Sequence, residues 1–382
     1  MRVLYITTVD INGKAGNSTH VREFIKLFSQ YCSLLTILSP TSKPLFVADN
    51  LSYKKIISFN IPYLRTPLFF TYGFFAGFYY LLTNKCDLIY ERNHTFGTGC
   101  LLGKIFSIPC VVEVNGWTPE EFEYKGDFLA TVIKKTESNT FSLATRLITV
   151  TSNLKALIVN EYGIAENKIT VVENGANTEL FRPLDMKESR KKLNLDPNSN
   201  IMCFVGNLAH WQGVEYFVRA APLILEKEPD TFFLVVGDGN MKDELEALTY
   251  DLGINDRFDY TGNVAYEQVP YYISASDVCV VPKKPLKSGY SPLKLYEYMA
   301  CAKPIIASTV NGFEILKQID AGILIDPVNS EEFSKAAIKL LSDSDLRTKM
   351  GLRGHDYVGK NHSWNAVAEK VMSTCQNALE VR

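Results

Sequence analysis

Lys294 and Glu297 stand three residues apart in the run Ser291-Pro292-Leu293-Lys294-Leu295-Tyr296-Glu297-Tyr298-Met299-Ala300, shortly after the apolar segment Val278-Cys279-Val280-Val281. Strand, loop and helix start in that order make an anion site, because the first backbone N–H groups of a helix have no internal partner and its dipole favours negative charge. Lys294 adds a point charge to a phosphate held there. Glu297, one turn on and on the same helix face, can accept hydrogen bonds from paired hydroxyls such as a ribose diol. Phosphate and sugar hydroxyls gripped together point to a sugar nucleotide.

Such a motif needs a sheet behind it. Short apolar runs recur at residues 3–7, 34–38, 88–90, 111–114, 147–150 and 169–172, and again at 202–205, 232–236, 258–260, 278–281, 305–307 and 323–325. They are apolar nearly throughout, as strands covered on both faces are, and helical patterns lie between them. The expected class is α/β, with two Rossmann-like doubly wound parallel-sheet domains facing a cleft. A break near Asn174-Gly175-Ala176-Asn177 through Phe181-Arg182-Pro183, followed by a charged stretch, marks the linker. Gly237-Asp238-Gly239 also follows a strand, but Lys242 takes the place of the third glycine of a dinucleotide fingerprint, so a hydride-transferring oxidoreductase is disfavoured.

A chain of 382 residues exceeds what a single core usually organises, so two domains are expected. Its net charge of −2 gives no reason to expect nucleic acid as a partner. The eight cysteines form no C-x-x-C pair and sit in or beside apolar runs, which reads as buried thiols in a reducing compartment. Met1 leads straight into the first strand, with no export signal, so a cytoplasmic protein is expected.

One segment strains that picture. Between Thr66 and Asn84 there is no charged side chain, and Phe69, Phe70, Tyr72, Phe74, Phe75, Phe78, Tyr79 and Tyr80 crowd it. Its core, residues 67–82, is shorter than the ~20 residues that a spanning helix needs. Two readings stay open: a helix buried on most sides, or an aromatic surface dipping into one leaflet at the inner face of the cytoplasmic membrane.

The motifs, taken together, resemble glycosyltransferase family 4, retaining enzymes of the GT-B fold, over nearly the whole chain. They comprise Gly16-Asn17-Ser18-Thr19-His20-Val21-Arg22-Glu23, Glu173-Asn174-Gly175-Ala176-Asn177, Val205-Gly206-Asn207-Leu208-Ala209-His210-Trp211-Gln212-Gly213, Val236-Gly237-Asp238-Gly239, Tyr260-Thr261-Gly262-Asn263-Val264, the Lys294 run and His362-Ser363-Trp364. The resemblance implies an acceptor-binding domain at residues 1–183, a nucleotide-sugar-binding domain at 184–362 and a last helix, 363–382, returning to the first domain. It implies a nucleotide-diphosphate sugar such as a UDP-sugar as donor. A glycan or lipid-linked hydroxyl would be the acceptor, in surface polysaccharide or glycolipid synthesis. Neither a metal nor a cofactor is implied, and no His, Cys, Asp or Glu cluster has metal-ligand spacing.

On this footing the donor site draws on Asn207, Gln212, Gly213, Gly239, Asn263, Val264, Ser291, Pro292, Leu293, Lys294 and Glu297. The acceptor side draws on Gly16, His20, Arg92, His94, Glu113 and Asn115. The catalytic residues are Lys294, Glu297 and Asn115. Three departures from the family pattern matter. Asn207 and Gln212 replace an arginine and a lysine that hold the diphosphate, so Lys294 must take over its neutralisation. Gly289 replaces the first glutamate of the E-x7-E pair. Asn115 stands where relatives carry a histidine, and an amide can orient a hydroxyl but cannot act as a base. Two alternatives remain: a sugar-nucleotide epimerase of the same fold, and a non-catalytic sugar-nucleotide binder.

Overall fold

The computed structural model describes residues 1–13, 16–41, 46–57, 65–92, 96–123 and 127–381, without the side chains of 65–67, 121–123 and 127–130. The chain divides into two compact units, Met1–Glu173 with Val367–Arg382, and Asn174–Ala366.

Unit 1 is built on a seven-stranded parallel sheet: β1 (Arg2–Thr7), β2 (Leu34–Ser39), β3 (Leu51–Lys55), β4 (Leu88–Arg92), β5 (Cys110–Val114), β6 (Arg146–Thr149) and β7 (Ile169–Val171). Their order across the sheet is β3-β2-β1-β4-β5-β6-β7. Unit 2 has six parallel strands: β8 (Asn200–Val205), β9 (Thr231–Val236), β10 (Phe258–Gly262), β11 (Val278–Val281), β12 (Ile305–Ser308) and β13 (Gly322–Ile325). Their order is β10-β9-β8-β11-β12-β13. Both are doubly wound α/β sheets, and in each the order reverses beside the first strand, between β1 and β4 and between β8 and β11. The mouths of such reversals, at the carboxyl ends of the strands, are where open sheets of this kind bind ligands.

The twelve apolar runs all became strands. β3 escaped notice because Leu-Ser-Tyr-Lys-Lys has no apolar run. It pairs only with β2, at the sheet edge, where its lysines stay in water. Elsewhere burial follows the Val, Ile and Leu pattern. Phe217, Phe233 and Phe258 pack as one aromatic cluster of unit 2, with Phe233 stacked on Phe258 at 4.6 Å. Each such ring contributes about 1.5–3 kcal/mol by leaving water. All eight cysteines are free, and only Cys86 is not fully buried.

The aromatic segment forms the helix Arg65–Thr83. Phe69, Phe70, Tyr80 and Leu81 enter the core, whereas Tyr72, Phe75, Tyr79 and Leu82 are exposed. Their spacing of three, four and three residues lines them along one helix face. Among the described residues, one side of this helix is buried and the other carries an exposed apolar stripe. Among the described residues, no helix is long and apolar enough to cross a membrane.

Candidate functional site

In unit 2 the helix Leu293–Ala300 begins after Pro292, whose extended backbone offers no side-chain cap. From Lys294 to Ala300 every residue is buried. Lys294 is therefore drawn inward, with Nζ 3.0 Å from Gln212 Oε1 and 3.8 Å from the centre of the Phe204 ring. Gly206, at the end of β8, makes room for it: a β-carbon there would come 2.5 Å from Lys294 Nζ. Burial pushes the Lys294 ammonium well below the ordinary lysine range, Lys283 adds to that, and Glu297 opposes it. Glu297, buried one turn on, accepts a 2.9 Å hydrogen bond from Tyr266 Oη.

The loops around this pair lock together at the carboxyl edge of the sheet. Gly213, with φ +67°, lies so close to Pro282 after β11 that a β-carbon would fall 1.9 Å from the Pro282 carbonyl oxygen. Leu208 N donates to Asp238 O at 2.9 Å, and Met241 N donates to Leu208 O at 3.0 Å. Gly239 sits against Asn207, and Asn263 Nδ2 donates to Asp238 Oδ2 at 3.3 Å. Asn207 and Asn263 are exposed, Val264 is half-buried, and Pro292 and Leu293 flank the helix start, also half-buried. Asn207, Gln212, Gly213, Gly239, Lys294 and Glu297 are thus gathered on one edge of one sheet, with Asn263 beside them.

Ser291 is differently employed. Its Oγ accepts the Asn174 N–H at 2.8 Å and lies 3.2 Å from Tyr296 Oη, while Asn174 Nδ2 donates to its carbonyl. It ties the helix start to Asn174. His362 does related work, stacking on Tyr296 at 4.3 Å with Nδ1 3.0 Å from Asn174 O.

In unit 1 the centre is Glu113, on β5, only 3% exposed. The register of β4 and β5 sets Arg92 opposite Glu113. Glu113 Oε1 lies 2.9 Å from His20 Nε2, on the helix Gly16–Phe28, and 3.3 Å from Arg92 Nε. The same oxygen accepts Asn115 Nδ2 at 2.9 Å, and Tyr90 Oη donates to Oε2 at 2.8 Å. Burial alone would raise the Glu113 carboxyl, but His20, Arg92 and the Tyr90 hydroxyl together hold it well below its usual range. Glu113 is a carboxylate whose hydrogen-bonding capacity is spent on holding its neighbours. Four of the acceptor-side residues, His20, Arg92, Glu113 and Asn115, meet here. Gly16 is exposed at the start of the His20 helix, and His94 lies outside the described residues.

Two clusters escaped sequence reasoning. Glu91, Cys100 and Cys110 converge in unit 1, with Cys100 Sγ 3.5 Å from Cys110 Sγ. Burial raises the Glu91 carboxyl to about 7, against the N–H groups of Gly99 and Cys100, and among the described residues its Oε1 has no hydrogen-bond partner. In unit 2, Lys283 packs beside the Lys294 site, its ammonium 4.2 Å from the centre of the Tyr290 ring. No motif spacing announces either cluster.

Residues 185–373 match the family described as glycosyl transferases group 1, and residues 16–180 match glycosyltransferase family 4. A UDP-Gal:alpha-D-GlcNAc-diphosphoundecaprenol alpha-1,3-galactosyltransferase of Escherichia coli is 31% identical over 276 residues, 70% of this chain and 69% of that protein. An uncharacterised glycosyltransferase of Methanocaldococcus jannaschii is 29% identical over 243 residues, and the match spans 62% of this chain and 61% of that relative's length. Sucrose-phosphate synthase from Thermosynechococcus elongatus has the same fold, with a TM-score of 0.84, 19% identity and 100% of both chains covered.

Proposed function

Because the chain belongs to the group 1 glycosyltransferases, with a family 4 glycosyltransferase region preceding, we propose that it is a retaining, metal-independent transferase moving a sugar from a nucleoside-diphosphate donor to a glycan or lipid-linked hydroxyl. The observation that carries this reading is the placement of Lys294 and Glu297. A buried cation and a carboxylate stand at a helix start, on the carboxyl edge of a parallel sheet, where the strand order reverses. Lys294 would neutralise the leaving diphosphate and Glu297 would hold the ribose diol. In the transfer step the bond from the anomeric carbon to the phosphate oxygen breaks and a bond to the acceptor oxygen forms. The acceptor's proton passes to the departing phosphate. Charge accumulates on that phosphate in the transition state, which is where a fixed cation lowers the barrier most. Asn115, held by Glu113, would orient the acceptor.

A UDP-sugar is the donor class to try first, because the Escherichia coli relative is named for UDP-Gal. That relative's diphosphoundecaprenol acceptor supports a lipid-linked acceptor here, in surface polysaccharide or glycolipid synthesis at the cytoplasmic face of a membrane. The exposed stripe of Tyr72, Phe75, Tyr79 and Leu82 supports the same reading, since an apolar face of this kind can rest in a headgroup layer. Lys85, three residues past Leu82, and Lys104, on the helix Thr98–Phe106 that packs against the aromatic helix, are exposed and suit anionic headgroups.

The test is sugar transfer from UDP-hexoses, without added metal, by wild type and Lys294→Met. Methionine fills the space beside Phe204 without a buried charge, so folding should survive while transfer falls by about 10²–10³-fold. Transfer by the variant at the wild-type rate would sink the assignment.

A further inference from the structure

Three lysines of unit 2 are almost wholly buried, and they are held in different ways. Lys303 donates to Ser274 O at 2.8 Å and to Ser276 O at 2.7 Å, so its charge is met by carbonyl dipoles. Lys294 has one such acceptor, Gln212 Oε1. Lys283 is 5% exposed and lies over the Tyr290 ring, and among the described residues its ammonium has neither a hydrogen-bond acceptor nor a carboxylate partner. A buried cation without a counter-charge is costly, and an aromatic face offsets only part of that cost.

Its position is informative. Lys283 follows β11 by way of Pro282, the residue that touches Gly213, while Gly206 closes β8 under Lys294. β8 and β11 are neighbours at the reversal of strand order, so both amines stand at one sheet mouth. The titratable groups around them are Lys294 and Glu297 from the helix Leu293–Ala300, Cys203 from β8 and Tyr290 from the intervening loop. The neighbouring Lys284 is paired with Glu215 at 2.8 Å and also meets His210. Burial brings Lys283 down to about 7 and Lys294 well below the lysine range, so both buried amines favour a counter-charge that restores their charged form.

We propose that Lys283 is a second ligand for the donor's diphosphate, beside Lys294, and that the donor enters this site together with a proton taken from solvent. The proposal rests on the donor reading above and adds a residue and a linkage to it. A diphosphate is the missing counter-charge: when it binds, both amines regain the charged form, and protonation and nucleotide binding favour each other. The two amines thus reach the same mouth as Asn207 and Gln212, and burial disfavours their charged forms until a counter-charge arrives.

The experiment is calorimetric titration of UDP, and separately of inorganic pyrophosphate, between pH 7 and 9. Buffers of low and high ionisation enthalpy report the protons taken up. Wild type should take up protons on binding, and its affinity should fall above pH 7 by up to about tenfold per pH unit for each amine that takes one up. Lys283→Met should bind UDP at least about tenfold more weakly with less proton uptake, at an unchanged melting temperature. Lys283→Arg should bind with less of that uptake, because a guanidinium stays charged. Equal affinity and equal uptake in Lys283→Met would overturn the proposal and leave the donor reading standing. Failure of wild type to bind any of UDP, GDP or ADP would overturn both.

Discussion

Gly206 and Lys294 occupy one another's space: the glycine's missing side chain is where the lysine's ammonium rests, 2.5 Å from the point a β-carbon would take. Gly206 also has φ +144°, a backbone region that side chains avoid. Gly206→Ala should therefore displace Lys294 at a stability cost of about 1–3 kcal/mol. The expected result is a loss of UDP affinity of about tenfold or more in a folded protein. Unchanged affinity would mean that Lys294 does not bind donor from the position seen here.

Glu113→Gln should destabilise unit 1 by about 3 kcal/mol, because His20 and Arg92 would keep their positions without the charge that holds them. The pH dependence distinguishes this from a packing defect. Glu113 titrates lower in the folded protein than in the unfolded chain, so its stabilisation is complete above the ordinary carboxylate range and is lost as the pH falls below it. The gap between wild type and variant in urea unfolding should be largest at neutral pH and should narrow in acid. A gap independent of pH would argue against the charge as its source.

Glu91 should behave with the opposite sign. Its folded carboxyl titrates at about 7, above the 4.5 of an ordinary glutamate, so the folded state holds the proton longer. Stability should then decline as pH rises from about 4.5 to about 7, by up to about 3 kcal/mol. Glu91→Gln should flatten that part of the wild-type profile. Parallel profiles for the two proteins would show that Glu91 is not titrating in its buried place.

Phe75 and Tyr79 are 64% and 70% exposed, so replacing both by glutamate should leave the melting temperature nearly unchanged. If the stripe rests on lipid, the same substitutions should abolish cosedimentation with vesicles containing anionic lipid. Persistent vesicle binding would place the membrane contact elsewhere.

Much of this protein was legible before folding was considered, for a local reason. Strand, loop and helix start are consecutive in sequence, so the place of Lys294 and Glu297 on the first turns of a helix behind a strand was readable from spacing alone. The parallel strands likewise announced themselves, because both faces of each are covered and the apolar runs are unbroken. β3 did not, since a half-exposed edge strand needs no such run. The stripe on the helix Arg65–Thr83 was visible as excess aromatic character, but not which rings faced out.

The amino-acid sequence by itself determined the two α/β halves, the family likeness and the helix start that carries Lys294 and Glu297, since each depends on neighbours in the chain. Only the tertiary structure decided what those residues meet. Glu113 became a hub because strand register set Arg92 opposite it and a separate helix brought His20 to the same oxygen. Glu91 found Cys100 and Cys110 through packing rather than spacing. Lys283 became a buried cation beside Lys294 because β8 and β11 are adjacent, although the last residue of β8 and Lys283 are 78 positions apart in sequence. Charge and burial are set by distance in space, and parallel sheets join residues that the sequence keeps far apart.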